Sequence, residues 1–307
     1  MAPPAVTAHH PAVPRRALVL LGILTLVWGT NWPIFPFAVR EVSVWTFRSV
    51  AVLISGLILL AVAKARGQSL AIPRRHWPAV VMAAAFYLVV WNIASTYSAL
   101  LIPSGQAAVL GFTMPLWVGL ISWLVLGQPP TGRLLAAIAL GTAAVTLLMV
   151  PNFGAYADAP SGLALGLAAG IGWAVGTLIL KRRPIEVPAT VLTGWQLLLT
   201  AVPITIGALL LGDHQWFMPS WQSIAVIGYI ALVPMCIGNV CWFAIVGLLP
   251  SNVAGLSSVM VPVVAMVSGA LVHGEPLGPL QLLAMGCSVA ALWLAVLKPA
   301  RPGAASR

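Results

Sequence analysis

The chain has 307 residues, of which 61% are hydrophobic and 7% are charged. A soluble domain carries about 25% charged residues, and a soluble fold of this length could not hide so much apolar surface from water. The composition excludes an ordinary soluble protein and predicts a polytopic membrane protein. The formal charge of +10 would suggest nucleic-acid binding in a soluble chain, but here the basic residues lie in short loops, so no nucleic-acid partner is expected.

Ten apolar runs follow one another, and most approach the roughly 20 residues that a membrane-spanning helix needs. They fall at residues 17–39, 44–63, 78–98, 104–126, 133–150, 161–180, 189–211, 222–246, 251–272 and 278–297. Arg15 and Arg16 could suggest a signal peptide, but the run after them is too long and no small-residue cleavage site follows. The sequence predicts an all-α integral membrane protein with ten transmembrane helices, a disordered cytoplasmic N-terminus at 1–16 and a cytoplasmic tail at 298–307.

The loop charges predict the orientation of these helices through the positive-inside rule. If the N-terminus is cytoplasmic, the inside segments carry 13 of the 15 basic residues, and the outside segments hold only Arg40. The remaining basic residue, Arg48, falls within the second span. We therefore expect both termini in the cytoplasm.

The two halves of the sequence align without a gap when one is shifted by 147 residues. The matched pairs include Pro103 with Pro250, Pro115 with Pro262, Asn92 with Asn239, and Gly127 with Gly274. The expected repeats are 17–150 and 161–297, joined by an external linker at 151–160. Each repeat would hold five spans, and because five is odd the second must enter the membrane from the opposite side. Inverted repeats are typical of alternating-access transporters, although a duplicated membrane protein without a transport role remains an alternative.

Short motifs in the spans resemble a known superfamily. They are W-G-T-N-W at 28–32, W-T-F-R at 45–48, and a P-S…P…G-x-P pattern that occurs in the fourth and ninth spans. Over about residues 17–297 the chain resembles the drug/metabolite transporter superfamily, EamA type, and among its groups the bacterial aromatic amino acid exporters. The resemblance implies a basket-like bundle in a bacterial inner (plasma) membrane. It also implies a central cavity lined mainly by the third, fourth, eighth and ninth helices, with contributions from the first and sixth.

Arg48 is the one ionisable residue deep in a predicted span, and such residues usually mark function. It could snorkel to the outer interface, act at a gate or helix contact, or pair with a substrate carboxylate. All five acidic residues fall in loops, so no titratable carboxylate is expected at the depth that proton coupling normally needs. Glu275 is the exception to watch, because its loop could fold inward.

Polar and tryptophan side chains occur together in several spans. Spacings of three and four place such residues on shared helix faces, where a polar group must either bond a neighbouring helix or line a wet cavity. The predicted substrate-binding residues are Trp28, Asn31, Trp91, Asn92, Ser95, Trp173, Thr177, Asn239, Trp242 and Ser258. Aromatic walls with amide groups would suit a planar apolar side chain that carries a polar backbone.

Pro115 and Pro262 fall 11 residues into the predicted fourth and ninth spans. Proline removes a backbone hydrogen bond and clashes with the preceding turn. We predict kinks that flex during gating, with Arg48 as a further gating residue. A static bend that only shapes the bundle is the alternative.

The leading hypothesis is an alternating-access exporter of small amphiphilic metabolites, foremost aromatic or other neutral amino acids, by facilitated diffusion. A multidrug or other metabolite exporter of the same fold, with or without proton coupling, is the alternative. No nucleophile–base pair or metal-ligand cluster lies in the spans, so neither an enzyme nor a cofactor is expected. The partners expected are the substrate and the lipid bilayer. The oligomeric state is open, with a monomer assumed.

Overall fold

The computed structural model describes residues 14–102, 104–150, 157–213, 218–250, 253–254, 258–273 and 277–296. Across these ranges the chain is helical and contains no β-strand. Residues 1–13 of the predicted N-terminal tail, the tail at 298–307, most of the external linker, and Glu275 lie outside the described residues. Arg15 and Arg16, which were expected in the disordered N-terminus, instead begin the first helix.

Ten helices, labelled α1 to α10, follow the order of the predicted spans. The uninterrupted ones are α1 (Arg15–Gly29), α2 (Val44–Ala65), α5 (Gly132–Met149), α6 (Pro160–Arg182), α7 (Ala189–Leu211) and α10 (Pro279–Val296). The composite ones are α3 (Trp77–Ala83, Ala84–Val89, Val90–Leu101), α4 (Ser104–Gly111, Met114–Leu124), α8 (Trp221–Ile230, Ala231–Gly238, Asn239–Leu248) and α9 (Ser258–Met260, Val261–His273).

Six of the helical segments are long and apolar enough to cross a membrane, judged by length and composition. They are Val44–Ala65, Arg74–Leu101, Ala107–Leu124, Pro160–Arg182, Ala189–Leu211 and Trp221–Leu248. Three further apolar helices are shorter, at Gly132–Leu147, Ser258–Val272 and Pro279–Ala291. The protein is therefore a multi-pass membrane protein, as the composition predicted.

The helix contacts follow the predicted repeat symmetry. Helix α2 packs along its repeat partner α7, and α5 packs along α10. Helix α3 contacts α6 in the way that α8 contacts α1. A pseudo-two-fold relation between the halves requires these pairings, because each contact must occur twice or lie on the axis.

Glycines allow the closest helix contacts beside the centre of the bundle. A Cβ added to Gly56 of α2 would lie 2.8 Å from Leu198 Cδ2, and one added to Gly194 of α7 would lie 2.7 Å from Leu60 Cδ2. Small residues let membrane helices approach in this way. The α2–α7 pair is thus packed too closely to accept even alanine without displacement.

The start of α2 and the start of α8 are each capped by a carboxylate from elsewhere in the chain. The backbone N–H of Ser43 donates to Asp213 Oδ2 at 2.8 Å, and that of Ser220 donates to Glu41 Oε2 at 2.8 Å. Negative charge at a helix N-terminus is stabilising. These two contacts, named here the carboxylate clasps, connect the end of α7 to α2 and the α1–α2 connection to α8.

Two π-helical segments interrupt α3 and α8 at equivalent positions. They cover Ala84–Val89 and Ala231–Gly238, and their first residues are 147 positions apart. π-Bulges are rare and frequently occur at functional sites. Both repeats therefore have a locally widened turn at the same place in the helix.

Several boundaries differ from the predicted spans for identifiable reasons. The first span was expected to continue to residue 39, but α1 ends at Gly29 and a turn at 30–34 leads to a short helix at Phe35–Ala38. Pro33 lies in that turn, and proline cannot donate the hydrogen bond that helix continuation requires. The fourth span was expected to be continuous, but it breaks at 112–113, directly before Pro115.

A candidate substrate cavity between the repeats

A cavity lies among α1, α2, α3, α4 and α8, and it draws residues from both repeats. The volume of the cavity is about 70 Å³. One water molecule needs about 10–15 Å³, so several waters or a small ligand would fit.

The cavity brings together seven of the residues singled out from the sequence. They are Trp28, Asn31, Arg48, Trp91, Asn92, Ser95 and Asn239. Seven further lining residues were not among the predicted site residues: Trp32, Tyr87, Leu88, Phe112, Ile230, Pro234 and Met235. Four of these residues lie in the π-segments, four or five positions before an asparagine. Tyr87 and Leu88 precede Asn92 on α3, and Pro234 and Met235 precede Asn239 on α8.

Asn92 and Asn239 use their amide groups in the same way. Asn92 Nδ2 donates to the Leu88 carbonyl at 2.7 Å, and Asn239 Nδ2 donates to the Met235 carbonyl at 2.9 Å. The two carbonyls belong to equivalent positions of the π-segments. A π-segment interrupts the regular backbone ladder, so each asparagine side chain satisfies its own helix at the point of interruption.

The amide oxygens of the two asparagines differ, because only one has a partner. Asn239 Oδ1 accepts a hydrogen bond from the Tyr87 hydroxyl at 3.2 Å, whereas Asn92 Oδ1 is buried without a hydrogen-bond partner. The repeat equivalent of Tyr87 is Pro234, which has no hydroxyl to offer. An unsatisfied buried acceptor costs about 1–3 kcal/mol, so Asn92 Oδ1 favours a donor that enters the cavity.

Arg48 lies at the cavity and not at the lipid interface. Its side chain is 8% exposed, and its Nε donates to Thr96 Oγ1 at 2.9 Å. The Thr96 hydroxyl in turn donates to the Asn92 carbonyl at 2.6 Å. The guanidinium carbon is 4.9 Å from the centre of the Phe47 ring. The side chain therefore places a positive charge at the wall of the cavity, on the side where Asn92 lies.

A cluster of aromatic rings adjoins the cavity and is centred on Trp173. The Trp173 ring centre lies 5.4 Å from that of Trp28, 5.0 Å from Trp91 and 4.9 Å from Trp242. Trp173 and Trp242 are fully buried and do not line the cavity. Aromatic pairs in edge-to-face arrangements add about 0.5–1.5 kcal/mol each, so this cluster is a rigid support behind Trp28 and Trp91.

Trp28 connects α1 to α8 at this cluster. Its Nε1 donates to the Pro234 carbonyl at 3.0 Å, a group inside the π-segment of α8. Its ring lies against Gly238, where an added Cβ would collide with Trp28 Nε1. The absence of a side chain at Gly238 therefore allows Trp28 to reach its hydrogen bond and form one wall of the cavity.

Ser95, Thr177 and Ser258 were also predicted to bind substrate, and only Ser95 is among the residues that line this cavity. Ser95 lines it, but its hydroxyl donates to the Trp91 carbonyl at 2.5 Å. Thr177 is buried behind the aromatic cluster, where its hydroxyl donates to the Trp173 carbonyl at 2.8 Å, and Ser258 is buried elsewhere.

Pro115 and Pro262 line a second, apolar cavity of about 20 Å³ between α4, α5, α9 and α10. Each proline begins a helical segment, after the break in α4 and after the 3₁₀ turn Ser258–Met260 of α9. Phe112 lines both cavities and separates them. A role of the prolines in gating stays a prediction.

Comparison with known proteins identifies the family. The EamA-like transporter family matches residues 15–150 and 160–297. The inner membrane transporter YedA of Escherichia coli (strain K12) is 28% identical over 94% of this chain and 95% of its own length. The transporter YvbV of Bacillus subtilis (strain 168) is 26% identical over 88% of this chain and 87% of its own length.

Two further similarities concern an exporter and a solved structure. The threonine/homoserine exporter RhtA of Escherichia coli (strain K12) is 32% identical over 62% of this chain and 61% of its own length. A protein crystal structure has a TM-score of 0.75 at 20% identity, covering 91% of this chain and 96% of that one, which supports the fold. With the family matching nearly the whole helical region, the chain belongs to the EamA-like transporters of the drug/metabolite superfamily.

Proposed function

We propose that the protein exports small amphiphilic metabolites, foremost aromatic amino acids, from the cytoplasm by alternating access. The observation that carries this proposal is the cavity between the repeats, which combines ring faces of Trp28, Trp91 and Phe112 with the polar atoms of Arg48 and Asn92. An aromatic amino acid carries an apolar ring and a polar backbone, so it complements both kinds of wall.

In the proposed orientation, the cavity extends from the middle of the membrane toward its external side. Arg48 follows the start of α2, and Asn92 lies in the last three turns of α3, both toward the external side if the termini are cytoplasmic. On the opposite side, Lys181 Nζ of α6 donates to the Val246 carbonyl of α8 at 2.6 Å.

We also propose that transport is facilitated diffusion without proton coupling. The ionisable side chains among the described residues that line the cavity are those of Arg48 and Tyr87. The guanidinium group stays charged at any physiological pH, and phenols titrate near pH 10. Neither group is suited to take up and release a proton during each transport cycle near neutral pH.

A second candidate substrate class is the small hydroxylated amino acids. It is favoured by the similarity to RhtA, a threonine/homoserine exporter. The modest volume of the cavity, about 70 Å³, also suits a smaller side chain than that of tryptophan. The two classes share the amino acid backbone and differ only in what contacts the aromatic walls.

The test is uptake of labelled phenylalanine, tryptophan and threonine into liposomes that contain the purified protein, with and without an imposed pH gradient. We expect saturable flux of at least one aromatic amino acid, at a rate and final level unaffected by the gradient. Concentrative uptake driven by the gradient would contradict facilitated diffusion. Flux of threonine alone would favour the second candidate, and no flux of any of the three would contradict amino acid export.

A further inference from the structure

A further cavity lies at one end of the helix bundle, and its volume is about 460 Å³. It is named here the end cavity. Its lining comes from the start of α1, the end of α6, the α6–α7 connection, the start of α7 and the end of α8. Arg16 and Glu186 of this lining are exposed, whereas Leu192 and Phe243 are buried. The end cavity is therefore in contact with water at its charged rim and reaches into the apolar part of the bundle.

Two aromatic rings separate the end cavity from the cavity between the repeats. Tyr87 lines the cavity between the repeats, Phe243 lines the end cavity, and their ring centres are 5.8 Å apart in an edge-to-face arrangement. Asn239, which lines the cavity between the repeats, precedes Phe243 by four residues on α8. Four residues of an α-helix rise by about 6 Å. The two cavities therefore lie about one helical turn apart along α8, with the two rings between them.

We infer that Tyr87 and Phe243 form a gate, and that the end cavity is the site from which substrate reaches the cavity between the repeats. This inference rests on the proposed function and adds to it a route and the residues that open the route. The lining of the end cavity carries Arg16, Lys181 and Glu186 among apolar side chains. Charges of both signs beside apolar surface suit small amphiphilic solutes, the class proposed for export.

Tyr87 is held in place by a hydrogen bond that a solute in the cavity between the repeats can replace. Its hydroxyl donates to Asn239 Oδ1 at 3.2 Å, longer than the roughly 2.5–3.0 Å usual for O–H···O bonds. Asn239 lines the cavity, so a donor group of the solute can take the place of the tyrosine hydroxyl. The Tyr87 ring then keeps only ring contacts, including the stack on Trp173 with 5.6 Å between ring centres, and is free to turn away from Phe243.

The repeat symmetry explains why this barrier lies on one side of the cavity between the repeats. The offset of 147 residues matches Tyr87 with Pro234 and Phe243 with Thr96. A pseudo-two-fold axis would place an equivalent pair on the opposite side, but neither threonine nor proline carries an aromatic ring. The aromatic barrier is therefore a property of one side only, as expected of a structure in which one of two gates is closed.

The experiment measures whether a small thiol reagent passes the gate. Ser95→Cys places a reporter thiol in the cavity between the repeats, and Ala244→Cys places one in the end cavity. Right-side-out and inside-out membrane vesicles that contain the full-length protein are exposed, without substrate, to the membrane-impermeant reagent sulfonatoethyl methanethiosulfonate. Mass spectrometry of the peptide with the reporter measures its labelling, so the three native cysteines do not interfere. Labelling of Ala244→Cys identifies the vesicles in which the end cavity faces the reagent.

In those vesicles Ser95→Cys should be labelled slowly while the gate is intact. A minor open state is typically populated to about 0.1–10%, so Phe243→Ala should raise the labelling rate at least about tenfold. Phe243→Leu tests the same barrier with a smaller loss of volume if the alanine variant does not fold. Tyr87→Phe, which removes the hydroxyl but keeps the ring, should raise the rate less. The matched control is Phe86→Ala, which removes a ring that is 40% exposed and lines neither cavity, and it should leave the rate unchanged.

Three results would overturn the inference. They are equally fast labelling of Ser95→Cys from both sides in protein with the intact gate, an unchanged rate in folded Phe243→Ala protein, or the same increase in Phe86→Ala protein. The proposed function is judged separately, because the labelling needs no substrate. A gated thiol signal without flux of any amino acid would retain the gate and reject amino acid export. Amino acid flux together with labelling that Phe243→Ala leaves unchanged would reject the gate and retain export.

Discussion

Replacing Gly238 with alanine should damage the protein through one side chain, Trp28. The added Cβ would overlap Trp28 Nε1 and lie within 2.6 Å of Trp28 Cδ1. The indole ring would have to move, which would break its 3.0 Å hydrogen bond to the Pro234 carbonyl. Overpacking of this kind costs about 1–3 kcal/mol, and the lost hydrogen bond adds about 0.6 kcal/mol in a membrane protein.

Gly228 of the same helix provides a matched control. A Cβ added there meets no atom within 4 Å, and alanine is favoured over glycine in a helix by up to about 1 kcal/mol. Gly228→Ala should therefore be neutral or stabilising, whereas Gly238→Ala should lower the free energy of unfolding by about 2 kcal/mol or more.

The assay is thermal unfolding of both variants in the same detergent, followed by transport in liposomes at equal amounts of folded protein. Gly238→Ala should also reduce the transport rate, because Trp28 forms one wall of the cavity. If Gly238→Ala protein were as stable and as active as Gly228→Ala protein, the assigned position of Trp28 and the close packing of α1 on α8 would be refuted.

The other predictions concern the polar groups, the helix breaks and the carboxylate clasps. Asn92→Ala or Asn239→Ala should reduce flux far more than the yield of folded protein, and equal losses would indicate a purely structural role. Pro115→Ala should slow turnover with little change in substrate affinity, and unchanged turnover would reject the hinge. Backbone and side-chain hydrogen bonds from Ser220 hold the pKa of Glu41 below its usual range. Partial burial raises the pKa of Asp213, but hydrogen bonds from Ser43 and Thr46 lower it further, so its net shift is also downward. Carboxylates with a lowered pKa stabilise the fold above about pH 4, their usual range. Melting temperature should therefore fall below that pH in the wild type and fall less steeply in Asp213→Asn.

The fold could be predicted largely because its signals are long and repeated. Each apolar run extends over many residues. The repeat at an offset of 147 residues shows the same pattern of spans in both halves, so each half supports the prediction for the other. The matched asparagines were found for the same reason, since Asn92 and Asn239 stand at equivalent positions beside tryptophans. Both line the cavity, although their amide nitrogens bind their own helices and only Asn92 leaves its oxygen without a partner.

The parts that the sequence could not predict depend on helix rotation. A π-segment adds a residue to one turn, so the faces assigned by spacings of three and four no longer hold beyond it. Tyr87 lines the cavity for that reason, and no pattern in the sequence predicted its position there. Trp173 and Trp242 were expected at the cavity, but they pack behind it at 0% exposure. Residue spacing predicts which face of a helix a side chain occupies, but it does not predict which other element covers that face.

The two repeats are similar as scaffolds and share Asn92 and Asn239 at the cavity, but they differ at two other positions that line it. The repeat equivalent of Arg48 is Trp195, whose Nε1 donates to the Leu70 carbonyl at 2.8 Å and whose ring packs against Trp77. Tyr87 is likewise matched by Pro234. Alternating access needs two arrangements of similar energy, which symmetric helix packing supplies. Among the described residues that line the cavity, the charged and hydroxyl side chains belong to the first repeat, so a molecule in the cavity meets different chemical groups on its two sides.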